Sequence, residues 1–368
     1  MPHLLLGPVP VSPPFGIAPM AGMTDSAFRR LVKRQGGCGL VVTEMVSSEG
    51  LVRGIDRTLE YLDYTEEERP VAIQLFGGDP QAMAAAAAIV ESRGADVVDI
   101  NMGCPVPKIA KHHAGCRLMR DPAHASAIVA AMAKAVRIPV TVKMRAGWNE
   151  SEVNAPLLAK MVEDAGAAAV AVHGRTAADA YRGRSDWDLI ARVVDAVSIP
   201  VFGNGDLVEA PQVLERWRSS GAAGVLVGRG VLRNPWICAQ ASALAEGRAM
   251  RIVSHEDRGR FLLEYIDLLL GERVGEPEGF RHQAPGRDLA TPRAARRAGA
   301  ERSRERWVVN KLRALAAWYT KGFDQGSHLR EALNAAVSLE AVRDLVRGFF
   351  LDPAGQAGSR PSTGSESV

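Results

Sequence analysis

Eight short runs of β-branched and aliphatic residues, spaced by helix-like segments, constrain this chain more than any other feature. The runs are Gly16–Ala21, Leu40–Glu44, Val71–Leu75, Asp96–Asn101, Pro139–Met144, Ala169–His173, Pro200–Asn204 and Gly224–Gly228. Helical patterns fall between them at Asp25–Gln35, Pro80–Arg93, Pro122–Val136, Ser151–Ala165, Trp187–Val197 and Glu209–Ser219. Thr24-Asp25 and Gly78-Asp79-Pro80 are helix-start signals, since aspartate caps free N–H groups and proline suits the first turn. Strands apolar along their whole length suit a parallel sheet covered on both faces. The alternation predicts an α/β fold, a (β/α)8 TIM barrel. A doubly wound open sheet has the same periodicity, so closure stays open at this level.

After Trp236 the strand pattern stops. His255–Glu272, Trp307–Lys321, Gly326–Ala336 and Leu339–Phe350 read as helices. The predicted organisation is a barrel over 1–245, a smaller all-α C-terminal domain over 246–352, and a Gly/Ser/Pro-rich disordered tail over 353–368. Net charge is only +3 over 368 residues, but Arg281, Arg287, Arg293, Arg296, Arg297, Arg302, Arg304 and Arg306 crowd an insertion near 277–306. Such a cluster either meets a phosphate backbone or stays a solvated loop.

Composition narrows the class further. The 47% hydrophobic content supports a large core. Cys38, Cys104, Cys116 and Cys238 form no CxxC pair, which argues against a zinc site or disulfide scaffold and for a reducing compartment. No basic region precedes Leu4-Leu5-Leu6, and no apolar run is long enough for a membrane span. The expectation is a cytoplasmic protein without a metal, a membrane or an obligate protein partner.

In a barrel the C-terminal strand ends converge on one mouth. Here those ends read Pro19-Met20-Ala21, Glu44, Gln74, Asn101, Lys143, His173, Asn204-Gly205-Asp206 and Gly228-Arg229. So many polar ends predict a binding mouth. Lys143 sits in an apolar strand, where an unpaired ammonium is costly. Either an anionic ligand such as a reduced flavin justifies it, or Asp99 or Glu44 pairs with it. Gly203-Asn204-Gly205-Asp206 and Gly228-Arg229-Gly230, after the last two strands, have the form of a phosphate cradle. Val208 stands where a dinucleotide fingerprint needs its third glycine, so one terminal phosphate fits better than a dinucleotide domain. His173 suits either a contact to that phosphate or to a base, or a structural bond to the backbone.

The densest motif is Asp99-Ile100-Asn101-Met102-Gly103-Cys104-Pro105, a thiol held in a turn just past a strand end. Taken alone it fits a reactive group or a small buried hydrophobe.

Together these pieces resemble the tRNA-dihydrouridine synthase family, most closely its bacterial B-type branch. The matching stretches are Ala18 to Asp25, Thr43-Glu44-Met45, Gln74-Leu75, Asp99 to Pro105, Val142 to Arg145 with Gly147-Trp148, His173 to Thr176, Tyr181-x-Gly183, Asn204 to Asp206, and Gly228-Arg229 with Pro235-Trp236-Ile237. The resemblance implies an FMN enzyme that reduces the C5=C6 bond of particular uridines in tRNA, with NADPH or NADH as reductant. It implies that Pro19, Met20 and Ala21 pack on the flavin, that Gln74 and Lys143 bond its polar edge, and that His173, Asn204, Gly205, Asp206, Gly228 and Arg229 serve its phosphate end. Cys104 would donate the proton to C5, while Asn101, Arg145 and Tyr181 orient the uracil. The helical domain would grip the RNA. A thiol with an ordinary pKa near 8.5 is mostly protonated at neutral pH, which suits an acid. Ala177, Pro107, Cys116 and the arginine-rich stretch depart from the family pattern. The alternative is a dihydroorotate-type FMN dehydrogenase acting on a free pyrimidine.

Overall fold

Closure is settled by three strand pairings. In the computed structural model, which describes residues 4–110, 113–271, 281–282 and 297–352, eight strands run parallel. They are β1 (Phe15–Ile17), β2 (Leu40–Val42), β3 (Val71–Phe76), β4 (Val97–Met102), β5 (Val140–Arg145), β6 (Ala169–His173), β7 (Val201–Asn204) and β8 (Gly224–Val227). Each sequential neighbour pairs in parallel register from β3 to β8. β8 then pairs with β1, β1 with β2, and β2 with β3, so the sheet returns on itself. This is a TIM barrel, and the open-sheet alternative falls away.

The outer helices include five that start within one residue of the sequence pattern and two, Ser48–Val52 and Ile237–Ala245, that lie outside it. They are α1 (Ser26–Gln35), α2 (Ser48–Val52), α3 (Pro80–Ser92), α4 (Pro122–Ala135), α5 (Ala155–Asp164), α6 (Trp187–Ala196), α7 (Ala210–Ser220) and α8 (Ile237–Ala245). Asp25, Asp79, Asp121 and Asp186 each accept a hydrogen bond from a first-turn N–H. Replacing Asp79 by alanine orphans the Ala82 N–H, now bonded at 2.7 Å. The expected cost is about 1 kcal/mol in urea unfolding. α5 begins four residues later than the sequence pattern, because Asn149 Oδ1 accepts from the Ser151 and Glu152 N–H groups and holds a turn there.

Period-two geometry sorts each strand into core and site. Val97, Ala72, Ala169, Ala171, Phe202, Leu226, Leu40 and Val42 share one buried interior cluster. Two residues further along the same faces stand Asp99, Gln74, His173, Asn204, Gly228 and Glu44. An apolar plug therefore lies below a polar mouth. Leu4, Leu6 and Val11 of an N-terminal hairpin (Leu4–Leu6 with Val9–Val11) join that plug. Leu4 and Leu6 are thus core material.

The chain divides into two compact units, Met1–Val231 with Trp236–Met250 and Pro277–Pro285, and Leu232–Pro235 with Arg251–Glu276 and Gly286–Val368. Arg281–His282 pairs antiparallel with Tyr64–Thr65, which explains why part of the expected insertion groups with the barrel. The second unit contains α9 (His255–Gly271), α10 (Arg297–Tyr319), α11 (Gly326–Ala335) and α12 (Leu339–Phe350). Tyr319 is its hub: the ring stacks on Phe261 at 5.8 Å, and its hydroxyl donates to the Arg258 carbonyl at 3.0 Å. α10 begins ten residues before Trp307, so Arg302, Arg304 and Arg306 lie on a helix. Arg287, Arg293, Arg296 and the tail 353–368 lie outside the described residues.

Candidate active site

The mouth of the barrel is built on alternate residues of neighbouring strands. Thr141, Lys143 and Arg145 point inward along β5, and the parallel register sets Asp99 beside Thr141 and Asn101 beside Lys143. Thr141 Oγ1 donates to Asp99 Oδ1 at 2.6 Å, and Gln74 Nε2 donates to Asp99 Oδ2 at 2.7 Å. Asn101 Nδ2 donates to Gln74 Oε1 at 2.7 Å. The other end of that amide, Asn101 Oδ1, accepts from the Gly103 and Cys104 N–H groups at 3.2 and 2.9 Å. Both ends of the Asn101 and Gln74 amides are therefore engaged with the protein. The resemblance implies that Asn101 orients the uracil; in the structure its Oδ1 also holds the cysteine loop.

Lys143 forms no ion pair with Asp99 or Glu44. Asp99 spends its two oxygens on Thr141 and Gln74, and Glu44 Oε2 accepts from the Gly22 N–H at 2.6 Å. Among the described residues Lys143 Nζ makes one hydrogen bond, to Asn204 Oδ1 at 3.3 Å. Burial, helped by the Arg145 charge, pushes the ammonium down to about 8. Burial pushes the Asp99 carboxyl upward.

Cys104 is half-buried, and burial pushes its thiol above the ordinary range despite the nearby Arg145 charge. Arg145 Nε donates to the Gly103 carbonyl at 2.8 Å, and Nη1 donates to the Thr176 and Ala180 carbonyls at 2.8 and 3.0 Å. Its Nη2 has no protein partner among the described residues. Gly115-Cys116 packs on the same loop. Cys116 N–H donates to the Cys104 carbonyl at 3.1 Å, and a Cβ on Gly115 (φ +61°) would sit 2.7 Å from that oxygen. Burial raises the Cys116 thiol to about 11.

The turns after β6 and β7 are tied by one guanidinium. Arg175 grips Asp206 with both arms at 2.7 and 2.8 Å, and donates to the Arg182 and Gly183 carbonyls at 2.9 and 2.6 Å. Its Nη1 also lies 3.5 Å from His173 Nε2, which can only accept there, so the proton belongs on Nδ1. Burial and four surrounding cations drive the His173 pKa well down, and the ring is neutral. Asp206 also accepts from the Ser185 N–H at 2.7 Å. Its carboxylate is thus committed to the protein, and only its backbone amide remains for an anion. Gly205 (φ +131°) has no room for a side chain, since a Cβ would lie 2.1 Å from Ser185 Oγ. Arg229 lies 3.9 Å from Asp206 Oδ1, and its guanidinium sits 4.4 Å from the Tyr181 ring, which Arg145 approaches at 5.8 Å. Tyr181 is 58% exposed at the rim. Pro19 and Met20 are half-buried and Ala21 exposed, in a turn closed by Met20 N–H donating to Thr24 Oγ1.

The family described as dihydrouridine synthase (Dus) matches residues 16–284, the whole barrel included. The chain belongs to the dihydrouridine synthase family. A "Probable tRNA-dihydrouridine synthase" of Rickettsia bellii is 35% identical over 94% of this chain and 97% of its own length. One from Rhizobium leguminosarum is 42% identical over 72% of this chain and 81% of its own. The "tRNA-dihydrouridine synthase B" of Xanthomonas axonopodis is 34% identical over 94% and 95%. Among solved structures, histamine dehydrogenase from Rhizobium sp. 4-9 superposes with a TM-score of 0.52 at 14% identity, over 71% of this chain and 50% of its own. 2-Naphthoyl-CoA reductase does so with 0.51 at 14%, over 67% and 52%. These two likenesses show the fold alone.

Against this synthase mouth, sequence reasoning missed Thr141, Ser185 and the approach of Gly115-Cys116 to Cys104. Thr141 carried a readable signal, as a polar residue in phase with Lys143 and Arg145 in an otherwise apolar strand. The other two depend on loops meeting in space. Among the described residues no group of three or more His, Cys, Asp or Glu could hold a metal ion, and no helix is long and apolar enough to cross a membrane.

Proposed function

We propose that this synthase reduces the C5=C6 bond of uridines in tRNA to 5,6-dihydrouridine, with FMN as cofactor and NADPH or NADH as reductant. The observation that carries the reading is Cys104, a thiol kept protonated at a mouth where Lys143 has one weak protein partner. An ammonium that buried calls for an acceptor-rich or anionic ligand. The flavin edge supplies one, and the Gly203–Asp206 and Gly228–Arg229 turns offer backbone N–H groups and a guanidinium to its phosphate. Pro19, Met20 and Ala21 would line the ring, and His173, through its Nδ1–H, would donate to a ligand oxygen.

Bound FMN would supply the hydride that reaches C6 of the uracil. Cys104 would then give its Sγ proton to C5, and its raised pKa keeps that proton in place at neutral pH. Arg145 Nη2 would donate to a uracil carbonyl, with Tyr181 covering it from the rim. A uridine in folded RNA must be turned out to enter such a mouth. In the helical unit Arg304 and Lys311 lie 4.6 and 5.5 Å from the Trp307 ring, and Lys321 lies 4.3 Å from Trp318. This basic and aromatic stripe on α10 and the turn that follows it suits RNA backbone and bases. The Rickettsia and Xanthomonas relatives named for tRNA match over 94% of the chain, more than the barrel alone, which favours tRNA over a free pyrimidine.

The direct test supplies purified protein with FMN, NADPH and unmodified tRNA or free orotate and uracil, and reads dihydropyrimidine by mass spectrometry. Turnover of the free base alone overturns the reading. A second expectation concerns pH. Lys143, held near 8 in the free protein, must be charged to bind FMN, so ligand binding raises its pKa. FMN affinity therefore falls as pH rises above about 8, by up to about ten-fold per unit. Lys143→Met should bind more weakly at pH 7 and lose this slope, as measured by flavin fluorescence titration.

A further inference from the structure

We infer that Asp99 is the positioning residue that sets the orientation of the Cys104 loop through the Gln74 and Asn101 amides. The inference rests on the proposed role of Cys104 as proton donor. An amide has the same shape in both orientations, so something must decide which end is nitrogen. Asp99 can decide it, because a carboxylate only accepts. Gln74 must then present Nε2 to Asp99, which leaves its Oε1 facing Asn101. Asn101 must answer with Nδ2, which leaves its Oδ1 facing the Gly103 and Cys104 N–H groups. Every link is 2.7 to 3.2 Å long, and Thr141 anchors the far end at 2.6 Å.

The chain of polarity has a consequence that packing alone does not share. Turning either amide would set two N–H donors, or two oxygens, against each other in a buried place and release the loop. The Gly103 carbonyl is held separately by Arg145 Nε at 2.8 Å, so the loop would pivot rather than unfold. The Asp99 carboxylate bonds to Gln74 and Thr141 and makes no hydrogen bond to Cys104 or its loop among the described residues.

Moving the carboxylate by one link tests this. In Gln74→Glu, two carboxylates face each other, and the polarity is spoiled. In the double variant Gln74→Glu/Asp99→Asn, the new amide at position 99 would accept from Thr141 and donate to the new carboxylate at position 74. That carboxylate would still accept from Asn101. Polarity is then restored, and the net charge is that of the wild type. With FMN saturating, Gln74→Glu should lose about 100-fold in kcat, as a small displacement of a catalytic group can cost. Adding Asp99→Asn should recover at least about ten-fold, a coupling that residues in one network show. Cys104 alkylation by iodoacetamide in the FMN-loaded protein, read by peptide mass spectrometry, should speed up several-fold in Gln74→Glu and return in the double variant. A double variant no better than Gln74→Glu in both measurements overturns the inference, as does a Gln74→Glu protein with wild-type kcat and alkylation. The alkylation measurement needs no RNA, so it stands even where the wild type forms no dihydrouridine, a failure that would belong to the proposed function instead.

Discussion

Replacing Cys104 by alanine should remove most dihydrouridine formation while FMN and tRNA remain bound. A positioned proton donor is worth about 10²–10⁴-fold in rate. The side chain can be deleted cleanly, because the loop is held through its backbone by Asn101 Oδ1 and by the Cys116 N–H. Single-turnover oxidation of prereduced flavin by tRNA is the discriminating measurement, since it isolates the chemical step from NADPH. An unchanged rate there would remove Cys104 from the mechanism. The same step carries a pH signature. In the proposed reaction the protonated thiol would be the active form, and burial raises its pKa above the ordinary thiol value. The rate should therefore stay flat through neutral pH and fall only above the raised pKa. A low-pKa nucleophile would give the opposite limb, with the rate rising from acid pH.

Arg175→Met should have the largest effect on stability and on the anion cradle. The Arg175 side chain is 1% exposed and Asp206 is 19% exposed. Removing one partner of such a buried pair costs about 3–5 kcal/mol, because the other charge is left uncompensated. The loss also frees the Arg182 and Gly183 carbonyls, and with them the loop that carries Tyr181. Urea unfolding should show the destabilisation, and flavin should wash off on gel filtration. Arg175→Lys should fail as well, since an ammonium cannot reproduce the fork. A lysine variant that kept both wild-type stability and flavin would show that charge alone suffices there.

Local physics made much of this protein legible in its sequence. Asp79-Pro80 and Asp121-Pro122 start helices where capping chemistry says they should. The eight strands fall where uniformly apolar runs require two covered faces. Lys143 was marked by its cost in an apolar strand, and the last two glycine turns by their place in the order. What stayed hidden shares one cause. The Leu4–Val11 hairpin is too short to carry a period, and α5 starts late because the Asn149 side chain competes for backbone N–H groups. Cys116 lies twelve positions after Cys104 in sequence and meets it only because Gly115 turns the chain back.

The sequence by itself determined the alternation, the polar residue closing nearly every strand and the family to which they belong. Those properties reside in single residues and their spacing. Only the tertiary structure decided closure, which depends on β1 meeting β8 across the full length of the barrel. It also decided the partners of the buried polar groups: Asp99 serves Gln74 and Thr141 rather than Lys143, and Asp206 is spent on Arg175. The physical reason is that a hydrogen bond between neighbouring strands is set by register and by which end of an amide faces which acceptor. Neither is written in the residue types of one strand alone.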